Sequence, residues 1–154
     1  MKSLLLAPTI IGRLGIVEED RQLTNVYFED DDLPPDLVIR ETELLITARQ
    51  QLLAYFSGQC TVFTLPLAPT GTEFQKRVWQ ALCRIPYGET VSYKEIARRI
   101  GNEKAVRAVG GANHRNPLPI FIPCHRVIGA NGALVGYGGG LKIKETLLAL
   151  EKEY

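Results

Sequence analysis

The prolines between residues 61 and 69 constrain the fold of this chain more than any other feature. The segment Thr61–Pro69 contains Pro66 and Pro69, and proline excludes a continuous helix because it lacks a backbone N–H. Hydrophobic residues follow different patterns on the two sides of this segment. We therefore predict a domain boundary here, with an N-terminal domain over residues 1–69 and a C-terminal domain over residues 70–154.

The N-terminal part alternates short apolar segments with turns, a pattern that predicts a small antiparallel sheet. Its predicted strands are Leu4–Ala7, Gly15–Val17 and Leu23–Phe28. An acidic loop follows over residues 30–36, and a helical pattern then runs from about Glu41 to Phe56, with Leu45, Ala48, Leu52 and Tyr55 on one side. Gly58 is a natural end for this helix, and the segment after it is predicted to be an extended linker.

Beyond Thr72 the hydrophobic period becomes helical. Thr72–Gln75 is a capping-box pattern, and a second one, Ser92–Glu95, predicts a short helix that Gly101 closes. We predict that Asn102 caps a further helix running through Ala112. Such a pair of short helices is a candidate helix-turn-helix, although many helical domains that bind no DNA contain one. After a predicted hairpin turn at residues 131–132, a last helix is expected from Lys142.

The second helix of this pair consists mainly of small residues. Between Ala105 and Ala112, Arg107 is the one long side chain. Two interpretations remain open, since a slim helix could enter a minor groove about 6 Å wide or could pack tightly in the core.

Charge and cysteine content differ along the chain. Residues 1–69 carry five Lys and Arg against ten Asp and Glu, whereas residues 70–154 carry thirteen against seven. The basic part is where phosphate would bind, unless both parts are simply solvated surfaces. Three widely separated cysteines without a C-x-x-C pattern indicate neither a disulfide framework nor a zinc site, which favours a reducing cytoplasm. The N-terminal apolar run is too short for a signal peptide, and no stretch reaches membrane-spanning length.

One of the cysteines has the neighbours that a nucleophile needs. Cys124 precedes His125 and Arg126, which could accept its proton or stabilise its thiolate, whereas Cys60 and Cys83 lack such neighbours. In an extended segment adjacent side chains point to opposite sides, so a bridging water would have to link His125 to the sulfur. From these residues alone, a buried structural thiol remains an alternative.

The ordered motifs from about Phe74 to Glu151 resemble the O6-alkylguanine-DNA alkyltransferase family, also called methylated-DNA–protein-cysteine methyltransferases, and in particular its bacterial members. These motifs are Ser92-Tyr93, Arg107-Ala108-Val109-Gly110-Gly111, Asn116-Pro117, Pro123-Cys124-His125-Arg126-Val127, Gly136-Tyr137, Gly139-Gly140-Leu141 and Leu147-Leu148-Ala149-Leu150-Glu151. The resemblance implies an α+β fold, with a ribonuclease H-like sheet-and-helix domain followed by a mostly helical, winged helix-turn-helix-like domain. The acidic N-terminal part resembles the family only loosely.

The resemblance implies catalytic roles for five residues. Cys124 would accept the alkyl group, His125 would activate it through water, and Glu151 would hold that histidine. Tyr93 would help to protonate the departing guanine, and Asn116 would brace the hydrogen bonds of the site. A solvated Glu151 in a frayed last turn and a half-buried structural Tyr93 are the alternatives to these roles.

Further residues are implied to handle DNA. Arg107 would fill the gap left by a base that is flipped out of the duplex, the alternative being a surface salt bridge. The remaining positions are Gln75, Asn102 and Ala130 for phosphate contacts, and Pro119, Tyr137 and Gly138 for the base pocket.

The function implied is irreversible, single-turnover repair of O6-alkylguanine, with O4-alkylthymine as a further candidate substrate. The partner is double-stranded DNA bound through the minor groove by a monomer, with cooperative assembly left open. We expect no cofactor, and no metal because the only histidines are His114 and His125 and no cysteine precedes Cys60. Two other functions compete: a Cys-His hydrolase, and a non-catalytic helix-turn-helix protein, against which the intact Pro123–Arg126 motif argues.

Overall fold

The structure, a computed structural model, describes residues 1–134, 136–137 and 139–154. These residues form two compact units, Met1–Pro69 and Thr70–Tyr154. The first unit is a sheet with a helix and the second is mostly helical, which confirms the predicted α+β class. Within the described residues, no helix is long and apolar enough to cross a membrane.

The sheet of the first unit has four strands in the order β3-β2-β1-β4. The strands are β1 (Lys2–Thr9), β2 (Gly12–Glu19), β3 (Gln22–Tyr27) and β4 (Leu37–Ile39). The first three are antiparallel as predicted, but β4 pairs with β1 in parallel, so the sheet is mixed. The strand β4 escaped prediction because it has three residues and follows a loop rich in Pro and Asp.

The helix of the first unit, α1 (Glu43–Phe56), packs against β1 and β2. Thr42 caps its start by accepting a hydrogen bond from the backbone N–H of Leu45. The predicted apolar side is confirmed, since Leu45, Ala48 and Leu52 are fully buried.

The segment between α1 and the second unit is not a free linker. Leu67 forms an isolated parallel bridge with Leu23 of β3. The Leu23 N–H donates to the Pro66 carbonyl and the Ala68 N–H donates to the Leu23 carbonyl, both at 2.8 Å. An extended segment that contains prolines can still pair with a sheet edge through the amide groups of its other residues. Residues 66–68 do so and belong to the first unit.

The second unit joins helices to a short parallel strand pair. Its elements are α2 (Glu73–Leu82), β5 (Val91–Ser92), α3 (Tyr93–Arg99), α4 (Val106–His114), a 3-10 turn (Cys124–Arg126), β6 (Val127–Ile128) and α5 (Leu141–Glu153). The turn at residues 131–132 forms, with the Gly129 N–H donating to the Ala133 carbonyl. The predicted turn is therefore confirmed, and among the described residues β6, which precedes it, pairs in parallel with β5.

The helix starts agree only partly with the predicted caps. Thr72 and Gln75 form a complete capping box at α2. At α3, Ser92 accepts from the Glu95 N–H, but the Glu95 carboxylate binds Arg98 and Arg99 instead of closing the box. The expected Asn102 cap is wrong, since α4 begins at Val106 without a side-chain cap.

Two of the four small residues of α4 lie on its exposed side. Val109 and Ala112 face the core, and Ala112 accepts a hydrogen bond from the Trp79 indole of α2. Arg107, Ala108 and Gly111 lie on the exposed side. Tight core packing therefore does not account for the small residues on the outer side of this helix.

Candidate active site

Cys124 begins the 3-10 turn and is 3% exposed. This conformation corrects the expectation of an extended segment around the cysteine. Because three residues complete one 3-10 turn, adjacent side chains differ by about 120° around the axis. Cys124 and His125 therefore still point in different directions.

Burial raises the pKa of the Cys124 thiol from 9.0 to about 11. Two neighbours act against burial, namely a hydrogen bond from the Asn116 side chain and the positive charge of Lys144. At neutral pH the sulfur is consequently a thiol, and a nucleophilic reaction requires a group that takes its proton.

Two asparagines hold the backbone that carries the cysteine. The Asn116 amide donates to the Ile122 carbonyl at 2.8 Å and accepts from the Leu118 N–H at 2.9 Å. The buried Asn113 side chain of α4 donates to the Cys124 carbonyl at 3.3 Å. Asn116 was expected to brace the hydrogen bonds of the site. Asn113 was missed, because the sequence analysis of this helix considered only its small residues and Arg107.

The predicted contact between His125 and Glu151 is present. The His125 Nε2 lies 2.6 Å from Glu151 Oε2, and both side chains are almost fully buried. Burial lowers the pKa of His125, and the neighbouring Glu151 opposes that effect. Since Glu151 is only 4% exposed, the alternative of a solvated residue in a frayed turn is wrong.

Arg126 completes a network around the same carboxylate. Its Nε donates to Glu151 Oε1 at 2.8 Å, its Nη2 to Oε2 at 3.0 Å, and its Nη1 to the Ile85 carbonyl at 2.8 Å. The Gly88 N–H adds a further bond to Oε1 at 3.1 Å. Arg126, which we expected to support the thiolate, therefore binds the carboxylate that orients His125.

Lys144 is a site residue that the sequence analysis missed. It is fully buried on α5, and its Nζ donates to the Val127 carbonyl at 2.6 Å. Burial lowers the pKa of Lys144, and the Cys124 thiolate opposes this effect. The available signal was its position three residues before Leu147 and seven before Glu151, which places a charged residue on the buried side of the helix.

Tyr93, the first residue of α3, lies near both Lys144 and Cys124. The Lys144 Nζ is 6.0 Å from the centroid of its ring. Burial and the charge of Cys124 raise the pKa of Tyr93, while a hydrogen bond from Asn113 lowers it. A phenol with a raised pKa stays protonated at neutral pH and can donate a proton or a hydrogen bond.

The other predicted residues lie outside this cluster or at its edge. Arg107 is exposed and has no ion pair among the described residues, which argues against a salt-bridge role. The Gln75 side chain is engaged in the α2 capping box. Asn102 and Ala130 are exposed, Pro119 and Tyr137 are buried, and Gly138 lies outside the described residues. In the described part of the chain, no three His, Cys, Asp or Glu residues are grouped as metal ligands.

Two family models together match most of the chain. Residues 73–153 match the 6-O-methylguanine DNA methyltransferase DNA binding domain, and residues 5–69 match the ribonuclease-like domain of the same protein. The chain belongs to the 6-O-methylguanine DNA methyltransferase family. This membership also covers the acidic N-terminal part, for which the sequence motifs carried only a loose resemblance.

Named relatives agree with this family over nearly the whole length. The chain is 50% identical to the constitutive methylated-DNA–protein-cysteine methyltransferase of Bacillus subtilis, over 95% of this chain and 93% of the relative. It is 54% identical to the Mycobacterium leprae protein of that name, over 92% of this chain and 87% of the relative.

Solved structures of the family have the same architecture. The O6-methylguanine methyltransferase of Mycobacterium tuberculosis superposes with a TM-score of 0.90 at 45% identity, covering 99% of this chain and 94% of that one. The M. tuberculosis OGT solved in complex with DNA superposes with a TM-score of 0.89 at 46% identity, covering 99% of this chain and 92% of that one.

Proposed function

We propose that this protein repairs DNA by moving the alkyl group, methyl above all, from O6-alkylguanine to the sulfur of Cys124. The observation that carries the proposal is a cluster of side chains within a chain of this family, in which Cys124, Lys144 and the His125–Glu151 pair are buried and Tyr93 is half-buried. The names of the relatives identify a cysteine of the protein as the acceptor in those proteins.

Thiolate formation is the first chemical step. Glu151 binds Nε2 of His125, so the proton of Cys124 would travel to Nδ1 through a bridging water. The nearby ammonium group of Lys144 stabilises the thiolate that remains, consistent with its effect on the Cys124 pKa. Asn116 supports this arrangement through its bond to the Ile122 carbonyl and its bond toward the thiol.

Alkyl transfer then exchanges one bond for another. The thiolate attacks the alkyl carbon, a carbon–sulfur bond forms, and the bond between that carbon and O6 breaks. The electron pair stays on the guanine, where a proton from Tyr93 stabilises the developing negative charge. Water does not readily displace a thioether, so each molecule would react once. O4-alkylthymine has the same type of carbon–oxygen bond and is the further candidate substrate.

The substrate base must leave the duplex to reach a cysteine this deeply buried. We assign this task to α4, where the outer side is slim and Arg107 projects without an ion pair. The helix would enter the minor groove, and Arg107 would fill the gap in the base stack. A relative has been solved in complex with DNA, which supports DNA as the partner, and we propose that this DNA is double-stranded.

Other residues would frame the DNA and the base. We retain Asn102, Ala130 and Gln75 as phosphate contacts, although the Gln75 side chain also caps α2. Pro119 and Tyr137, together with Gly138, which lies outside the described residues, are assigned to the base pocket. We expect the protein to bind DNA as a monomer. A binding isotherm measured on DNA would show whether several molecules assemble cooperatively.

The acceptor must remain a thiol until it meets its substrate. Cys60, Cys83 and Cys124 are all free thiols in the structure. We therefore place the protein in the reducing cytoplasm, where thiols persist.

Mass spectrometry of the protein after incubation with a duplex containing O6-methylguanine tests the chemistry. We expect one methyl group on the tryptic peptide that contains Cys124, with a final stoichiometry of one per protein. The Cys124→Ala variant should gain none, while Cys83→Ala, which removes an exposed thiol, should react as the wild type does. An unmodified Cys124 peptide together with continued loss of substrate would instead support a hydrolase.

Comparison of duplex and free base tests the role of Arg107. Arg107→Ala should slow transfer from the duplex much more than transfer from free O6-methylguanine, because only the duplex requires a gap to be filled. Arg115→Ala is a suitable control, since Arg115 is an exposed arginine at the other end of α4. Equal losses on duplex and free base would contradict the gap-filling role.

A further inference from the structure

A cleft between α2 and α3 is lined by three arginines and has no role in the transfer chemistry. It has a volume of about 190 Å³, and its lining residues are Arg77, Gln80, Ala81, Arg84, Arg99 and Ile100. Pockets for drug-sized ligands measure roughly 300–1,000 Å³, so this cleft suits a smaller and more compact group. Gln80 and Ala81 follow Arg77 by three and four residues on α2 and therefore share its side of the helix. Arg84 lies two residues after the end of α2 at Leu82.

Two of the three arginines are held in place by the protein. The Arg77 guanidinium donates to the Ile100 carbonyl at the end of α3. The Arg99 Nε donates to Glu95 Oε2 at 2.8 Å, and Arg98 shares the same carboxylate. Partial fixing of these side chains reduces the entropy that an incoming ligand would have to remove.

Positive charge in the cleft exceeds the negative charge available to balance it. Arg77 and Arg84 have no ion pair among the described residues, and Glu95 is the one acidic partner of Arg99 there. The lining also contains the Gln80 amide, which can donate further hydrogen bonds. Guanidinium groups present several N–H donors in a planar fork, an arrangement that matches the oxygens of a phosphate.

We propose that this arginine cleft binds a phosphate group. Specifically, it would bind a backbone phosphate of DNA outside the nucleotides that α4 contacts. The assignment to DNA rests on the proposed function, whereas the affinity for phosphate rests on the cleft alone. A free phosphate ion or a phosphorylated small molecule offers the same chemistry, and the experiments below separate these sources.

The position of the cleft supports DNA as the source. Ile100 precedes Arg107 by seven residues, which span at most about 25 Å when fully extended. The actual connection is tighter, since the Asn102 N–H donates to the Ala97 carbonyl and the Ala105 N–H to the Asn102 carbonyl. Duplex DNA carries one phosphate per roughly 1.7 Å of its axis, so a duplex on α4 places several phosphates within that distance.

Titration with inorganic phosphate tests the cleft without DNA. The experiment follows the Nε–H NMR signals of Arg77, Arg84 and Arg99 while phosphate replaces chloride at constant ionic strength. We expect saturable shifts of these signals in the wild type and weaker binding in Arg84→Gln. Arg84 makes no ion pair in the described structure, so the variant should keep its fold. Shifts that increase linearly without saturation would overturn the proposal.

The salt dependence of binding to an undamaged duplex tests the source of the phosphate. Each neutralised phosphate contributes roughly 0.9 to the slope of log K against log salt. Arg84→Gln should reduce the magnitude of that slope by about this amount, whereas Arg13→Gln, an equal charge change in the other unit, should change it much less. An unchanged slope together with saturable phosphate shifts would overturn the DNA assignment and leave a site for a free phosphate.

Methyl transfer from free O6-methylguanine distinguishes a failure of the cleft proposal from a failure of the proposed function. Arg84→Gln should methylate Cys124 from the free base at the wild-type rate, because the cleft takes no part in the chemistry. If the wild type itself failed to react, the proposed function would be wrong while the phosphate titration would still report on the cleft. Loss of transfer from the free base in the variant alone would overturn a purely DNA-binding role.

Discussion

Replacement of Glu151 by Gln tests the central link of the site. The substitution keeps the size of the side chain but removes the negative charge that binds His125 and Arg126. The Gln amide nitrogen would also face N–H donors of Arg126, where the carboxylate had accepted their hydrogen bonds. The Gly88 N–H, which donates to the same carboxylate, still finds a carbonyl oxygen in the variant.

The expected cost follows from the charge left without a partner. Arg126 is 7% exposed, so the variant retains a buried guanidinium without a counter-charge. Its acceptors are then two neutral carbonyl oxygens, that of Ile85 and that of the new Gln side chain. Removing one partner of a buried ion pair typically destabilises a protein by about 3–5 kcal/mol. The rate of methyl transfer should fall as well. Glu151 counteracts the effect of burial on the pKa of His125, so without its charge that pKa would fall further and His125 would be a weaker base. General-base catalysis contributes roughly 10²–10⁴-fold, which bounds the loss.

Urea unfolding and single-turnover methylation measure these two effects separately. The Arg126→Met variant is the matched control, since it removes the other partner but leaves the His125–Glu151 contact. In the Glu151→Gln, Arg126→Met double variant the free energies should be strongly non-additive, because the unpaired charge is gone. A loss below about 1 kcal/mol in Glu151→Gln, with methylation at the wild-type rate, would refute the reasoning.

Three further substitutions probe the chemistry and the DNA-facing helix. Lys144→Met should raise the pKa of Cys124 further, and a pH–rate profile should move to higher pH because less thiolate forms at a given pH; an unmoved profile would contradict the assigned charge effect. Tyr93→Phe should slow transfer by about 10²-fold or more in a single-turnover assay while duplex affinity stays unchanged, and an unaltered rate would exclude proton donation. A Cβ atom added at the exposed Gly111 meets no atom within 4 Å, so Gly111→Leu should retain thermal stability but weaken duplex binding in an anisotropy titration; undiminished affinity would contradict close approach by α4.

The parts of the fold that sequence predicts are those determined by neighbouring residues. The capping box of Thr72 and Gln75 and the buried side of α1 depend on spacings of three or four residues, and both are present. By contrast, β4 pairs with a strand more than thirty residues earlier in the chain. The Asn102 cap failed because the Asn102 carbonyl accepts the Ala105 N–H in a turn that delays the start of α4.

The same distinction holds for the site. The Cys124–Arg126 motif is visible in the sequence because its chemistry is local, and the contact with Glu151 was expected only through a family resemblance. The helical spacing of Lys144 from Leu147 and Glu151 indicates the buried side of α5, but its contact with the Val127 carbonyl forms only when distant parts of the chain pack together. Arg126 was given the wrong partner for a related reason, because sequence adjacency to Cys124 said nothing about the direction of its side chain.

The raised pKa of Cys124 suits a thiol that can be used only once. With a pKa of about 11, only about 10⁻⁴ of the molecules carry a thiolate at pH 7, so oxidants and stray electrophiles meet an unreactive sulfur. The Cys124 thiol must therefore lose its proton when the substrate binds. The His125–Glu151 pair can take that proton, and Lys144 can stabilise the thiolate. Low intrinsic reactivity and a dedicated route for the proton are therefore two consequences of the same burial.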